Sequence, residues 1–319
     1  MSSVDAIIIG SGAWGRSLAH TLLFNKKKVL IYSRDEKHLD LNATNKNLIK
    51  TTKFSDIKNY NAPVVVATPV SSLRNIGELF VKNEVSTNII LACKGIESRT
   101  GLFPTEVMQE FIKKDNLAIL SGPSFAHEVI KNKPTAVTIA SENNETLDIF
   151  IKLFHSKFFR VYASNDVIGC QLGGAMKNIL AVAVGISDGL GLGPNAKAAL
   201  ITRGIIEIRN LGKILKCDDT TIFGLSGLGD LVLTSNDNLS RNRRFGLEIA
   251  KGFSVKDSQK NINQVIESIS AAEGLQLLIK RYSLSLPICS KVFDIINEKC
   301  KPEDAVNDLL IREQKKEFI

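Results

Sequence analysis

Residues 4–15 read Val4-Asp5-Ala6-Ile7-Ile8-Ile9-Gly10-Ser11-Gly12-Ala13-Trp14-Gly15, a short apolar run meeting three glycines spaced Gly-x-Gly-x-x-Gly. Leu18, Ala19, Leu22 and Leu23 follow at helical spacing. Strand, glycine turn and helix in that order form a dinucleotide fingerprint. Gly10 permits the tight turn, Gly12 lets the backbone approach a pyrophosphate, and Gly15 lets helix and strand pack closely. The phosphates would rest on the free N–H groups at the helix start. A glycine turn in some other α/β protein is the bland alternative.

Further apolar runs extend the pattern along the first half. Strands are expected at 28–32, 64–67, 88–92, 117–120, 135–140 and 158–162, with helices at 73–81, 104–113 and 145–154 between them. The second strand ends in Ser33-Arg34, with Asp35 and Glu36 beyond. An acid there would hold ribose hydroxyls and an arginine would hold a 2′-phosphate, so both NAD and NADP stay open. Other strands deliver Cys93-Lys94-Gly95 and Ser121-Gly122-Pro123-Ser124-Phe125-Ala126 to a carboxyl edge. Ligands of open α/β sheets bind along that edge.

From about residue 165 the strand signals fade and helical periodicity takes over. The expected architecture is α/β: a Rossmann-type dinucleotide-binding domain over 1–167, then an all-α substrate-binding domain over 168–319. At the seam stands Gly169-Cys170-Gln171-Leu172-Gly173-Gly174-Ala175-Met176-Lys177-Asn178, running on into apolar Ile179–Ser187. A lysine so near a core needs partners or a task, unless it snorkels from a helix end. Gly227-Leu228-Gly229-Asp230-Leu231 places an acid among glycine and apolar residues, as a helix cap would. Ser240-Arg241-Asn242-Arg243-Arg244-Phe245-Gly246 gathers donors that suit a phosphate or carboxylate, or a solvated basic face. Glu267 has no local argument beyond an exposed helix position.

Composition bounds the rest. The 319 residues suit two domains, and five scattered cysteines without a Cys-x-x-Cys pair argue against a disulfide framework or zinc site. His20, His38, His127 and His155 lack metal spacing, so no metal is expected. The net charge of +8 is spread along the chain, and the arginine cluster carries no interleaved aromatics. A small phosphate ligand is therefore expected rather than nucleic acid. Apolar runs such as Ile179–Ile186 are too short for a bilayer, and no secretory leader pattern is found. A cytoplasmic protein without stable membrane insertion is expected.

Taken together, the motifs resemble the bacterial NAD(P)-dependent sn-glycerol-3-phosphate dehydrogenases over essentially the whole length. They also include Ser187-Asp188-Gly189-Leu190-Gly191 and Ala198-Ala199-Leu200-Ile201-Thr202-Arg203-Gly204. The resemblance implies Lys177 as the catalytic lysine, beside Asn178, with Lys94 as a second active-site lysine shared by cofactor and substrate. It implies substrate contacts from Gly122, Ser124, Asp230, Ser240, Arg241 and Asn242. It sets Ala13, Trp14, Arg34, Ala126, Arg241, Val265 and Glu267 along the cofactor. It further implies conversion of dihydroxyacetone phosphate to sn-glycerol 3-phosphate for glycerophospholipid synthesis, and a homodimer. Ser268 departs from the family, which often has glycine there. A ketopantoate-type reductase and a dinucleotide-sensing module without turnover are the rival readings. The first needs a carboxylate site, and the second leaves two lysines and an anion site without a purpose.

Overall fold

Short β-branched runs, apolar on both faces, can only be satisfied inside a sheet covered on both sides. In the computed structural model these runs become β1 (Ala6–Ile9), β2 (Val29–Tyr32), β3 (Leu48–Thr51), β4 (Val64–Val66), β5 (Ile89–Leu91), β6 (Leu117–Ser121), β7 (Thr135–Ala140) and β8 (Phe159–Ser164). The structure describes residues 3–39 and 45–313; the side chain of His38 lies outside the described set. The strands form one sheet in the order β3-β2-β1-β4-β5-β6-β7-β8, parallel except for the β6–β7 pair. The order reverses between β1 and β4. In such sheets that switch point opens a crevice beyond the carboxyl ends of the strands.

Two positions show why glycine is required at the first turn. Gly10 has φ +107°, a conformation other residues rarely adopt. A Cβ on Gly15 would sit 1.9 Å from the Gly10 carbonyl oxygen, so the helix Ala13–Phe24 could not lie against β1. Most expected elements are present within a residue or two. Two differ more: the helix expected over 104–113 ends at Gln109, and β3 was not expected.

The second half is helical. Its axis is one helix, Val167–Gly189, almost wholly buried. Helices Gly193–Ile214, Asp230–Asn236, Arg241–Ala250, Glu267–Tyr282 and Pro287–Ile296 pack around it. Leu172, Met176, Ile179, Leu180, Phe245 and Leu275 share its core. The helix is long and apolar enough to cross a membrane, with a mean hydropathy of 1.5, yet 89% of that window is buried inside the protein. Its length exceeds the run read from sequence because small and polar residues interrupt the apolar pattern without ending the helix.

Helix Arg241–Ala250 meets this axis backbone to backbone. A Cβ on Gly185 would come within 2.1 Å of the Arg243 carbonyl oxygen, and one on Gly246 within 2.2 Å of the Val182 oxygen. Asp188 locks the crossing by accepting from Arg243 Nε at 3.1 Å and Nη2 at 2.5 Å, while pairing with Lys197 at 2.9 Å. The crossing thereby fixes Arg241 relative to the axis. Gly246→Ala should lower stability by about 1–3 kcal/mol through overpacking, measured as a reduced denaturation midpoint. A midpoint equal to that of the parent chain would show that the helices can part without cost.

Candidate active site

The crevice fits a dinucleotide on three observations. Gly12 caps the first helix without a side-chain bond, and a Cβ there would meet nothing within 4 Å. That leaves the helix N-terminus open to an anion at the point where a pyrophosphate would lie. Thr68 and Ser121, at or just beyond the carboxyl ends of β4 and β6, bury hydroxyls that have no hydrogen-bond partner. Trp14 donates its indole N–H to the Ala92 oxygen at 3.1 Å, joining the glycine turn to the segment that carries Lys94.

Asp230 is the centre of the polar cluster. It is 1% exposed and is the first residue of helix Asp230–Asn236, reached through a wide π-helical turn at Leu225–Gly229. Lys177 Nζ lies 3.0 Å from its Oδ1, and Lys94 Nζ donates to its Oδ2. Lys94 also donates to the Gly122 oxygen at 2.9 Å, and Ser124 Oγ donates to the same oxygen at 3.1 Å. Lys177 donates to Thr234 Oγ1 at 2.8 Å, a partner that sequence reading missed. Its helical spacing from Asp230, four residues, was the available signal.

The paired glycines before Lys177 make this convergence possible. A Cβ on Gly173 would lie 2.4 Å from the Ser226 oxygen, so a side chain there would expel the π turn. Gly174 faces Ser121 Oγ and the Lys94 stem, at 2.9 and 3.4 Å from its would-be Cβ. The axis helix thus admits the Asp230 turn and the Lys94 stem just ahead of its own lysine.

A second polar chain runs alongside. Arg241, beginning its helix after the Ser240 cap, pairs with Glu267 at 2.6 Å. Glu267 Oε2 accepts from Asn178 Nδ2 at 3.3 Å, and Asn178 Oδ1 accepts from Asn242 Nδ2 at 2.9 Å. Asn242 Oδ1 accepts from the Ser268 N–H at 3.2 Å, so serine serves here with an ordinary backbone contact. Arg243 turns away to Asp188, and Arg244 reaches Gln264 at 3.4 Å. Only one arginine of the cluster enters this chain.

Burial lowers the Lys177 pKa below the ordinary lysine value, and the Lys94 charge adds to that, against the opposing pull of Asp230. Burial pushes the Asp230 carboxyl up, but the two ammonium groups outweigh it and hold the group ionised, below the usual carboxylate range. Burial pushes the Cys93 thiol up to about 12 and Cys170 to about 11, which leaves both inert.

The remaining residues sit at the edges. Ala13 and Gly15 lie in the first turn of the opening helix, and Ala126 begins a short helix whose first carbonyl accepts from Ser17 Oγ at 2.9 Å. Arg34 is exposed beyond β2. Its neighbour Asp35 accepts from the Lys37 N–H at 2.9 Å and so caps its own turn. Val265 is exposed beside the Glu267 helix. His20 bonds to Asn132 and His155 accepts from the Val161 N–H. No cluster of metal-binding side chains occurs among the described residues. An apolar cavity of about 520 Å³ between helices Gly193–Ile214, Pro287–Ile296 and Pro302–Leu310 includes none of the residues of the polar cluster.

A switch-point crevice with a glycine turn, beside a lysine pair that comes from both halves and shares one buried carboxylate, defines a two-part dinucleotide-dependent dehydrogenase. Known proteins agree. The model for the N-terminus of NAD-dependent glycerol-3-phosphate dehydrogenase matches residues 5–147, and that for its C-terminus matches 166–307. A glycerol-3-phosphate dehydrogenase (NAD(P)+) of Halorhodospira halophila is 37% identical, with 100% of this chain and 99% of that one covered. The Francisella philomiragia enzyme of the same name is 39% identical, with 98% of each covered. The crystal structure of glycerol-3-phosphate dehydrogenase from Coxiella burnetii superimposes with a TM-score of 0.90 at 35% identity, covering 97% of this chain and 99% of that one. The chain belongs to the NAD-dependent glycerol-3-phosphate dehydrogenase family.

Because the space beside Gly12 is open to ligand and not to protein, Gly12→Ala should leave the denaturation midpoint nearly unchanged. It should weaken dinucleotide binding about tenfold or more, roughly 1.4 kcal/mol, as read by calorimetric titration with NADH and NADPH. Unaltered affinity for both would place the pyrophosphate elsewhere.

Proposed function

We propose that this chain interconverts dihydroxyacetone phosphate and sn-glycerol 3-phosphate with NAD or NADP, Lys177 serving as general acid and base. The observation that carries the assignment is the convergence of Lys94 and Lys177, one from each half, on the single buried carboxylate of Asp230. The nicotinamide, when bound, supplies the hydride that reaches C2 of the ketone. As that happens the carbonyl oxygen gains negative charge, and a proton donor aimed at it favours the transition state over the ground state.

An ammonium has three N–H bonds. Asp230 and Thr234 occupy two of those of Lys177, leaving the third for the substrate oxygen. The lowered pKa makes Lys177 a better donor near neutrality than an ordinary lysine. Lys94, held by Asp230 and the Gly122 carbonyl, adds positive charge beside the same oxygen. Arg241 and Asn242, with donors near Ser124, grip the phosphate end and fix where C2 lies. Such positioning supplies much of the rate in enzymes of this type.

The division of labour between 1–167 and 168–319 belongs to the same proposal: cofactor on the first, substrate closed in by the second. So do a cytoplasmic setting, supply of sn-glycerol 3-phosphate to glycerophospholipid synthesis, and a homodimer. Support for the dimer is an exposed apolar surface at Leu192, Leu310 and Ile311 of the helical half.

Lys177→Ala should lower turnover about a hundred- to ten-thousand-fold while dinucleotide binding survives. In the parent enzyme ketone reduction needs the protonated lysine, so its rate is full below the lowered pKa and falls as pH rises through it. Oxidation of the alcohol has the opposite limb. Steady-state assays across pH with dihydroxyacetone phosphate and NADPH or NADH read both, and a variant with normal turnover removes Lys177 from proton transfer. Arg241→Ala should reduce kcat/KM for dihydroxyacetone phosphate far more than for unphosphorylated dihydroxyacetone. Equal losses on the two ketones would break the phosphate assignment.

A further inference from the structure

Arg241 stands at the start of a ten-residue helix, where the free N–H groups already present positive charge. A guanidinium there is at the unfavourable pole and calls for an anion. Glu267 supplies one, and it sits at the start of its own helix, the pole that favours a carboxylate. The pair is half-exposed, so water can replace either partner and the contact breaks readily. The same carboxylate also takes an N–H of Asn178, the residue next to Lys177.

Charge counting gives the contact a purpose. Lys94, Lys177 and Arg241 oppose Asp230 and Glu267, which leaves the cluster one positive charge. With Glu267 drawn away the excess becomes two, the match for a phosphate dianion. While Glu267 stays, it occupies the guanidinium edge that a phosphate needs and repels the dianion as well. Glu267 lies close enough to the loop after β5 for its charge to act on Cys93. That puts it near the carboxyl edge where the dinucleotide would lie, and the ribose hydroxyls and carboxamide of a dinucleotide offer donors to a carboxylate.

We propose that Glu267 is a positioning residue, a placeholder anion that holds Arg241 until the dinucleotide draws it off and frees the guanidinium for the substrate phosphate. The inference rests on the reading of Arg241 as the phosphate grip. It makes cofactor binding and phosphate binding mutually favourable, and by linkage each ligand tightens the other by the same factor.

The test is calorimetric titration of the full chain with sn-glycerol 3-phosphate, alone and with saturating NADPH. Both ligands are reduced, so nothing turns over. In the parent chain NADPH should tighten glycerol phosphate about tenfold. In Glu267→Gln the cofactor-free affinity should rise to nearly the NADPH-saturated value, and the coupling should vanish. Glu267→Asp keeps the charge but shortens the reach to Arg241, so it should lose the part of the coupling that comes from the occupied guanidinium and keep the part that comes from repulsion. This variant also carries the test should the Gln form fail to fold. Coupling that persists in the Gln variant, or stays at the parent value in the Asp variant, overturns the proposal, as does an equal shift of affinity with and without NADPH. Arg241→Ala is titrated alongside: if it leaves glycerol phosphate binding unchanged, the phosphate assignment itself has failed, and not only the role of Glu267.

Discussion

A carboxylate with almost no contact with water is held ionised between two ammonium groups, and the site is arranged around that constraint. Burying Asp230 alone would be prohibitive, and the usual escape would be protonation. The lysines remove that escape, but neither half of the chain could do so alone. Lys94 arrives on the loop after β5, Lys177 on the axis of the helical half, and Asp230 on the turn behind it. The ionised state of Asp230 therefore depends on the two halves being closed on one another. Such a triad is poor evidence of stability, since ions pulled from water recover little by pairing. What it secures is geometry: two cations held a fixed distance apart, with a net positive charge left over.

How much of this could be read beforehand follows the range of each constraint. The glycine turn was legible because its causes lie within six residues, Gly10 to Gly15. The central strands were legible because burial on both faces leaves an unbroken apolar run. β3 was not, because Leu48–Thr51 is an edge strand with half-buried and exposed residues and a lysine within it. Lys177 drew attention as a charge in an apolar setting, yet nothing local named Thr234 as its partner. Glu267 carried no local signal and was singled out by the family resemblance alone, since its contact with Asn178 spans 89 residues of sequence. The three clustered arginines looked alike, and only the Asp188 contact and the Gly185–Gly246 crossing separate Arg241 from Arg243.

The same distinction explains the axis helix. Its composition passes for a membrane span, and its burial shows why: the sheet edge and five helices surround it, so every face must be apolar or small. Under that rule a lysine and an asparagine at its middle are exceptions, and each is matched by a polar partner brought in from elsewhere. The glycines at 173 and 174 admit those partners, and the glycine at 185 seats the helix that carries Arg241. A larger residue at any of the three would overlap the group packed against it, the Ser226 carbonyl, the Ser121 hydroxyl or the Arg243 carbonyl. It would also push apart the groups that, under the proposed function, meet the two ends of a phosphorylated three-carbon ketone. Close packing at these points therefore serves the distance between Lys177 and Arg241, which a looser helix crossing would leave undefined.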